Sequence, residues 1–259
     1  MVQRCMVVAF AACCLSMVSC AEKTKQMVVP TSGAWLAERE ARQEAARTRL
    51  MAEFPGLKPD VVDAIFSISR ARFVTRTVRH RAYDDKMLPI GSGQATLRLS
   101  DIGFVLSQID LRPTDDVLEI GTGTGYLAAV MSRMVRHVYS VEIIEYLAEL
   151  ARQSCEQLSL DNVRIRTADG HEGWARYAPY DVIWVTAAVR EIPAAYETQI
   201  KPGGRLAIPI MDESGKAAWV IYTRMDGAWV EKSRRETPVG AMIEAGPVRS
   251  GGQSLGGAY

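Results

Sequence analysis

From Asp116 onward, short runs of β-branched and apolar residues alternate with stretches of helical periodicity, and this alternation constrains the fold more than any other feature of the chain. Strands are expected at Val117 to Ile120, His137 to Val141, Val163 to Thr167, Asp181 to Thr186 and Arg205 to Ile210. Helices are expected between them at Tyr126 to Val135, Ile144 to Leu158 and around Ile192 to Ile200, with Lys201-Pro202-Gly203-Gly204 ending the last of these. Strands joined through helices run parallel. Ala217 to Arg224 and Ala228 to Lys232 then flank Met225-Asp226-Gly227, which reads as a hairpin with an Asp-Gly turn. The expected fold class is α/β: a doubly wound, mostly parallel, Rossmann-like sheet of seven strands closed by a C-terminal antiparallel hairpin, behind an N-terminal extension of helices and loops.

In that extension, Trp35 to Met51 is rich in Ala, Glu and Arg, has Ser32 placed as an N-cap, and reads as a helix ended by Phe54-Pro55-Gly56. Further helices are expected from Pro59 to about Ser69 and from Asp101 to Ile109. Arg70 to Arg98 contains Pro89, Gly91 and Gly93 and keeps no period, so it reads as extended segments and loops, the kind of insert that lines a site. Before all of this, Arg4, an apolar or small-residue run from Cys5 to Val18 broken only by Ser16, and Ser19 before Cys20 read as an export signal. The run is shorter than the ~20 residues that span a bilayer comfortably. Met17-Val18-Ser19-Cys20 also resembles a bacterial lipobox, which implies a lipidated Cys20 and an exported, periplasmic or membrane-anchored protein. Secretion without lipidation, an uncleaved anchor, and a cytoplasmic protein with a misassigned start are the alternatives. The expected organisation is a signal at 1–20, a tether at 21–31, one α/β domain at 32–245 and a disordered Gly- and Ser-rich tail at 246–259. Arg4 is the only charge before Cys20 and the net charge is +1, so the body is balanced and offers no general attraction for nucleic acid. Cys155 is the one cysteine after Cys20, which excludes an intramolecular disulfide in the body; it reads as a small hydrophobe on a helix.

The most specific local signal is Val117-Leu118-Glu119-Ile120-Gly121-Thr122-Gly123-Thr124-Gly125-Tyr126, a strand running into glycines and then a helix. Glycines there let the backbone approach a nucleoside-bearing ligand closely. A dinucleotide fingerprint needs Gly-x-Gly-x-x-Gly, whereas Gly121, Gly123 and Gly125 are spaced Gly-x-Gly-x-Gly, which favours S-adenosylmethionine (SAM). Such a ligand has no pyrophosphate, so the loop faces its amino-acid end, and Glu119 is placed to receive the ammonium group directly or through water. Glu142, at the end of the second strand, is placed to accept from both ribose hydroxyls, and Asp169-Gly170, at the end of the third, to accept from the adenine amino group. Each has an ordinary reading alone, as a strand-end charge or a turn; in register on three successive strands they point to one cofactor site.

The chain is also similar to the protein-L-isoaspartate (D-aspartate) O-methyltransferases over about Val61 to Ile210. The resemblance rests on Arg72-Phe73-Val74, Ala82-Tyr83-Asp84-Asp85, Leu88-Pro89-Ile90-Gly91-Ser92-Gly93-Gln94, the glycine loop, Ala168-Asp169-Gly170, Ala178-Pro179-Tyr180-Asp181 and Lys201-Pro202-Gly203-Gly204-Arg205-Leu206. It implies methylation by SAM of the carboxylate of isoaspartyl residues in damaged proteins or peptides, a repair reaction, with Ile90, Gly91, Gln94 and Thr96 on the substrate side. One departure stands inside the match. The family segment continues Gly-Gln-Thr-Ile-Ser-Gln-Pro, with the Ser regarded as the active-site residue, and here Leu97 takes that position and Ala95 that of the Thr. Thr96 and Ser100 are nearby hydroxyls out of register; Arg98 reads as a partner for a substrate carboxylate or as a solvated loop charge. The resemblance leaves two rivals: a SAM-dependent methyltransferase with another acceptor, and an envelope binding protein without transfer activity.

Other features carry less. His80, His137 and His171 do not have metal-ligand spacing, although His171 could border adenine or be an exposed loop residue. Trp174, Trp184, Trp219 and Trp229 read as core or strand-face packing, and no Gly-x-Ser-x-Gly elbow supports a hydrolase.

Overall fold

The computed structural model describes residues 33–240; the expected signal, tether and tail, with Cys20 and Ser32, lie outside the described residues. The chain begins with α1 (Gly33–Glu53) and α2 (Pro59–Ser67), the first ended by the Phe54 turn and the second opened by Pro59, whose missing N–H is no loss in a first helical turn. Two short 3-10 turns, Arg70–Arg72 and Arg76–Arg81, lead into a small hairpin of β1 (Pro89–Gly91) and β2 (Gln94–Ala95). The expected loop region is thus ordered, and α3 (Leu99–Ile109) follows it directly.

The alternating region folds as β3 (Asp116–Ile120), α4 (Tyr126–Met131), β4 (His137–Glu142), α5 (Glu145–Gln157), β5 (Val163–Thr167), β6 (Tyr180–Val185), α6 (Ala194–Gln199) and β7 (Ile200–Met211). The last two strands are β8 (Ala217–Met225) and β9 (Ala228–Thr237), joined through Asp226 and Gly227, both at positive φ as a tight Asp-Gly hairpin turn requires. The seven strands lie in the order β5-β4-β3-β6-β7-β8-β9, parallel from β5 to β7 and antiparallel thereafter, which is the expected doubly wound layout. Side chains alternate across the sheet. Val117, Val138, Val182 and Trp184 pack on the face covered by α1 to α4, while Leu118, Tyr139, Ile183 and Leu206 pack on the other, under Tyr196 of α6 and the segment around Trp174. Trp184 and Trp219 are fully buried, and Cys155 on α5 is buried as well, which pushes its thiol up to about 12.

Two boundaries differ from expectation. Lys201 to Gly204 does not end a helix but belongs to β7: Tyr180 pairs with Ile200 and Val182 with Arg205, so β7 bulges between them. Gly204 makes the bulge possible, since a Cβ there would lie 2.5 Å from Ile200 Cγ1. Helix α4 stops at Met131 instead of reaching Val135, because the Asn162 side-chain amide reaches in and donates to the carbonyls of Ser132 at 2.9 Å and Val135 at 3.2 Å.

Candidate active site

The carboxyl ends of the parallel strands open onto a cleft of about 230 Å³. It sits where the chain turns one way from β3 to β4 and the other way to β6, the switch point at which such sheets leave room for a ligand. A smaller inner cavity of about 60 Å³ shares Ile90, Ala95, Leu97, Gly121, Gly123 and Thr186 with it.

The sheet side is built largely from backbone. Gly121, Gly123 and Gly125 all hold positive φ, at 94°, 55° and 92°. A Cβ at Gly121 would lie 2.2 Å from Thr186 Oγ1 and one at Gly123 2.9 Å from Ile90 Cδ1, so both positions exclude a side chain. Gly125 faces away from the cleft, against Ala151 of α5. The loop is tied to the N-terminal extension, with Thr124 Oγ1 donating to Phe73 O at 2.6 Å. Glu142 lines the cleft, accepts from Gly123 N–H at 2.7 Å and Ile144 N–H at 2.9 Å, and burial raises its pKa. Glu119 lies deeper, in the wall of the inner cavity, fully buried; its Oε2 accepts from Ser140 Oγ, and burial pushes the carboxyl up to about 8. Of the expected adenine pair, Gly170 lines the cleft. Asp169 beside it caps the 3-10 turn Gly170–Glu172, its Oδ1 accepting from His171 N–H at 2.9 Å and pairing with His171 Nδ1 at 2.9 Å.

The opposite wall is the β1–β2 hairpin with its flanks. Met87, Ile90, Gly93, Gln94, Ala95 and Leu97 line it, whereas Gly91 does not; it ends β1 just before the Ser92-Gly93 turn, with φ at 102°. Leu97 therefore stands in the cleft, and its side chain also packs on the main core. Thr96 borders the inner cavity, but its hydroxyl accepts from Arg70 Nη2 at 2.7 Å. Arg98 is not held out for a substrate: it makes a bidentate pair with the buried Asp101, at 2.8 Å through both nitrogens. Residue types that no motif signalled complete the cleft, namely Met87, Ile143, Ile144, Leu147, Thr186 and Val239.

The least local component is Arg70. Its guanidinium is fully buried and donates to the carbonyls of Ala82, Asp84, Lys86 and Leu97 and to Thr96 Oγ1, at 2.5–3.2 Å. These acceptors lie on both flanks of the hairpin, so one side chain gathers the whole wall.

Residues 48–239 match the family model of protein-L-isoaspartate(D-aspartate) O-methyltransferases. The chain belongs to this family. It is similar to protein-L-isoaspartate O-methyltransferase 2 of Syntrophobacter fumaroxidans, 42% identical over 172 residues, which is 66% of this chain and 70% of the relative. A solved protein-L-isoaspartate O-methyltransferase superposes with a TM-score of 0.70 at 31% identity, covering 79% of this chain and 66% of that one. A Plasmodium falciparum protein solved in complex with S-adenosyl-L-homocysteine shares the fold, with a TM-score of 0.68 at 17% identity over 78% of this chain and 99% of that chain. Leu97, which the sequence resemblance sets at the position of a family Ser, stands on the wall facing the glycine loop.

Proposed function

We propose that the chain transfers the methyl group of SAM to the side-chain-derived carboxylate of isoaspartyl residues in damaged proteins, the first step of their repair. The observation that carries this reading is the family match spanning both walls of one cleft, from the hairpin flanks through the strand ends to Val239. The residues present fit the cofactor: Gly121 and Gly123 line the cleft with backbone alone, and Glu119 Oε1 is buried with no partner in the cavity wall. SAM supplies a methyl group already activated on a sulfonium. Glu142 holds the ribose hydroxyls with its remaining lone pairs, Gly170 borders the adenine with Asp169 beside it, and Glu119 faces the amino-acid end. An isoaspartyl carboxylate is ionised at neutral pH and needs no general base. The protein's task is therefore alignment and exclusion of water, which the apolar wall of Met87, Ile90, Ala95 and Leu97 serves.

Incubating an isoaspartyl peptide with the chain and SAM should lead to accumulation of the aspartyl isomer, resolved by chromatography. A peptide left in its starting form by a chain that binds S-adenosylhomocysteine would favour another acceptor. We also propose export with lipidation at Cys20, supported by Arg4, the apolar run and Ser19. Mass spectrometry of the membrane fraction of a bacterial host should find diacylglyceryl-modified Cys20; soluble protein retaining residues 1–19 would refute it.

A further inference from the structure

Glu119 is a carboxyl group with one partner too few. It is fully buried; Oε2 accepts from Ser140 Oγ, which is itself bonded to Thr122 Oγ1, while Oε1 has no partner although it is shielded from water. The groups that face it add no positive charge. From β4 comes Glu142, a like charge, and from α5 the thiol of Cys155, held neutral by burial; no Lys, Arg or His among the described residues acts on Glu119. An ionised carboxylate here would be desolvated without a counter-charge, which is costly enough that such a group keeps its proton instead. The inner cavity that Glu119 walls shares Gly121 and Gly123 with the cleft, and its volume of about 60 Å³ has room for a group the size of an ammonium ion.

We infer that the site takes up the α-ammonium group of its cofactor in exchange for the Glu119 proton, so that cofactor binding at neutral pH releases one proton. The inference rests on the SAM reading given above. The free protein holds Glu119 as the neutral acid, consistent with its carboxyl being pushed up to about 8. The ammonium brings the missing positive charge beside Glu119, the carboxyl ionises, and its proton leaves to solvent; no covalent bond of the cofactor changes. Selectivity follows. A ligand with the same nucleoside but no amino-acid end gains nothing from Glu119 and releases no proton.

The test is isothermal titration calorimetry of the full chain with S-adenosylhomocysteine, at about pH 6.5, in buffers of differing ionisation enthalpy. The dependence of the heat on buffer should correspond to release of about one proton, and affinity should increase roughly tenfold for each unit by which the pH is raised, levelling off near about 8. 5′-Methylthioadenosine should bind with no buffer dependence. Glu119→Gln should bind S-adenosylhomocysteine more weakly and without proton release. Ser140→Ala, which removes the one hydrogen bond that favours the ionised form, should keep the release and move it to higher pH. Binding of S-adenosylhomocysteine with no buffer dependence, or an unchanged release in Glu119→Gln, would overturn the inference while leaving the cofactor reading intact. Absence of binding would contradict the cofactor reading itself.

Discussion

The two walls of the cleft are made in different ways. On the sheet side, Gly121 follows β3 directly, Glu142 ends β4 and Gly170 comes three residues after β5, so the sheet that aligns β3, β4 and β5 also aligns them, and Glu142 is fixed by two backbone N–H groups. On the hairpin side, β1 and β2 pair only with each other, and the wall depends on one buried arginine that reaches acceptors 12 to 27 residues away. The first wall is a consequence of the fold and the second is an attachment to it. Cofactor binding and methyl transfer should therefore be separable by mutation.

The largest effect is expected at Arg70. Arg70→Ala takes a donor from four carbonyls and from Thr96 Oγ1, of which Asp84 O keeps the Lys86 N–H and Thr96 Oγ1 the Leu88 N–H, and should destabilise the chain by about 3–5 kcal/mol in urea unfolding, since buried groups left unpaired are costly. Protease cleavage should begin between residues 82 and 97, and peptide methylation should fall much further than S-adenosylhomocysteine affinity. Equal loss of both would show that the two walls are one unit.

A second effect concerns pH and belongs to the sheet wall alone. Glu119 is neutral in the fold and ionised in the unfolded chain above about pH 4.5, so the folded state holds the extra proton and stability falls as pH rises toward about 8. Unliganded protein should lose on the order of 2 kcal/mol between about pH 6 and 8 through this group. Thermal melts should show the decline in the parent chain, a flatter profile in Glu119→Gln, and a smaller decline with S-adenosylhomocysteine bound.

Glu142→Ala should weaken S-adenosylhomocysteine binding by about 1–3 kcal/mol through loss of charge-assisted hydrogen bonds, measured by calorimetry. Unchanged affinity would remove the ribose role from Glu142. The smallest effect is expected at Leu97. Leu97→Ser restores a hydroxyl to the hairpin wall and should raise single-turnover methyl transfer by up to about tenfold, a change of about 1.4 kcal/mol, with cofactor affinity unaltered. A fast parent chain that gains nothing from Ser would show that the hydroxyl is dispensable here.

The same division explains what could be read from the sequence. Strand positions came within a residue or two at β3, β4, β5 and β6 because short apolar runs bounded by turn residues are local signals, and Glu119, Gly121, Glu142 and Gly170 are legible by lying at the ends of those runs. Lys201 to Gly204 misled because a Pro-Gly-Gly sequence marks a helix end and a strand bulge equally well, and only pairing with β6 decides between them. Arg70 is invisible in the sequence, since arginine is ordinarily a surface residue and its acceptors are mostly backbone carbonyls scattered between residues 82 and 97, which have no sequence signature. Arg98 was read as a substrate partner or a solvated charge because its bidentate partner, Asp101, becomes buried only when α3 packs beneath β7 and β8. Val239 enters the cleft because the end of the described chain folds back, with Ala188 N–H donating to Gly240 O at 2.8 Å.

The most direct test of the whole account is methyl transfer from labelled SAM, at saturating concentration, to a pair of peptides that differ only in carrying an isoaspartyl or a normal aspartyl residue. The account predicts base-labile label on the isoaspartyl peptide alone, formed more slowly by the parent chain than by Leu97→Ser. Label on both peptides alike, or on neither by a chain that binds S-adenosylhomocysteine, would contradict it.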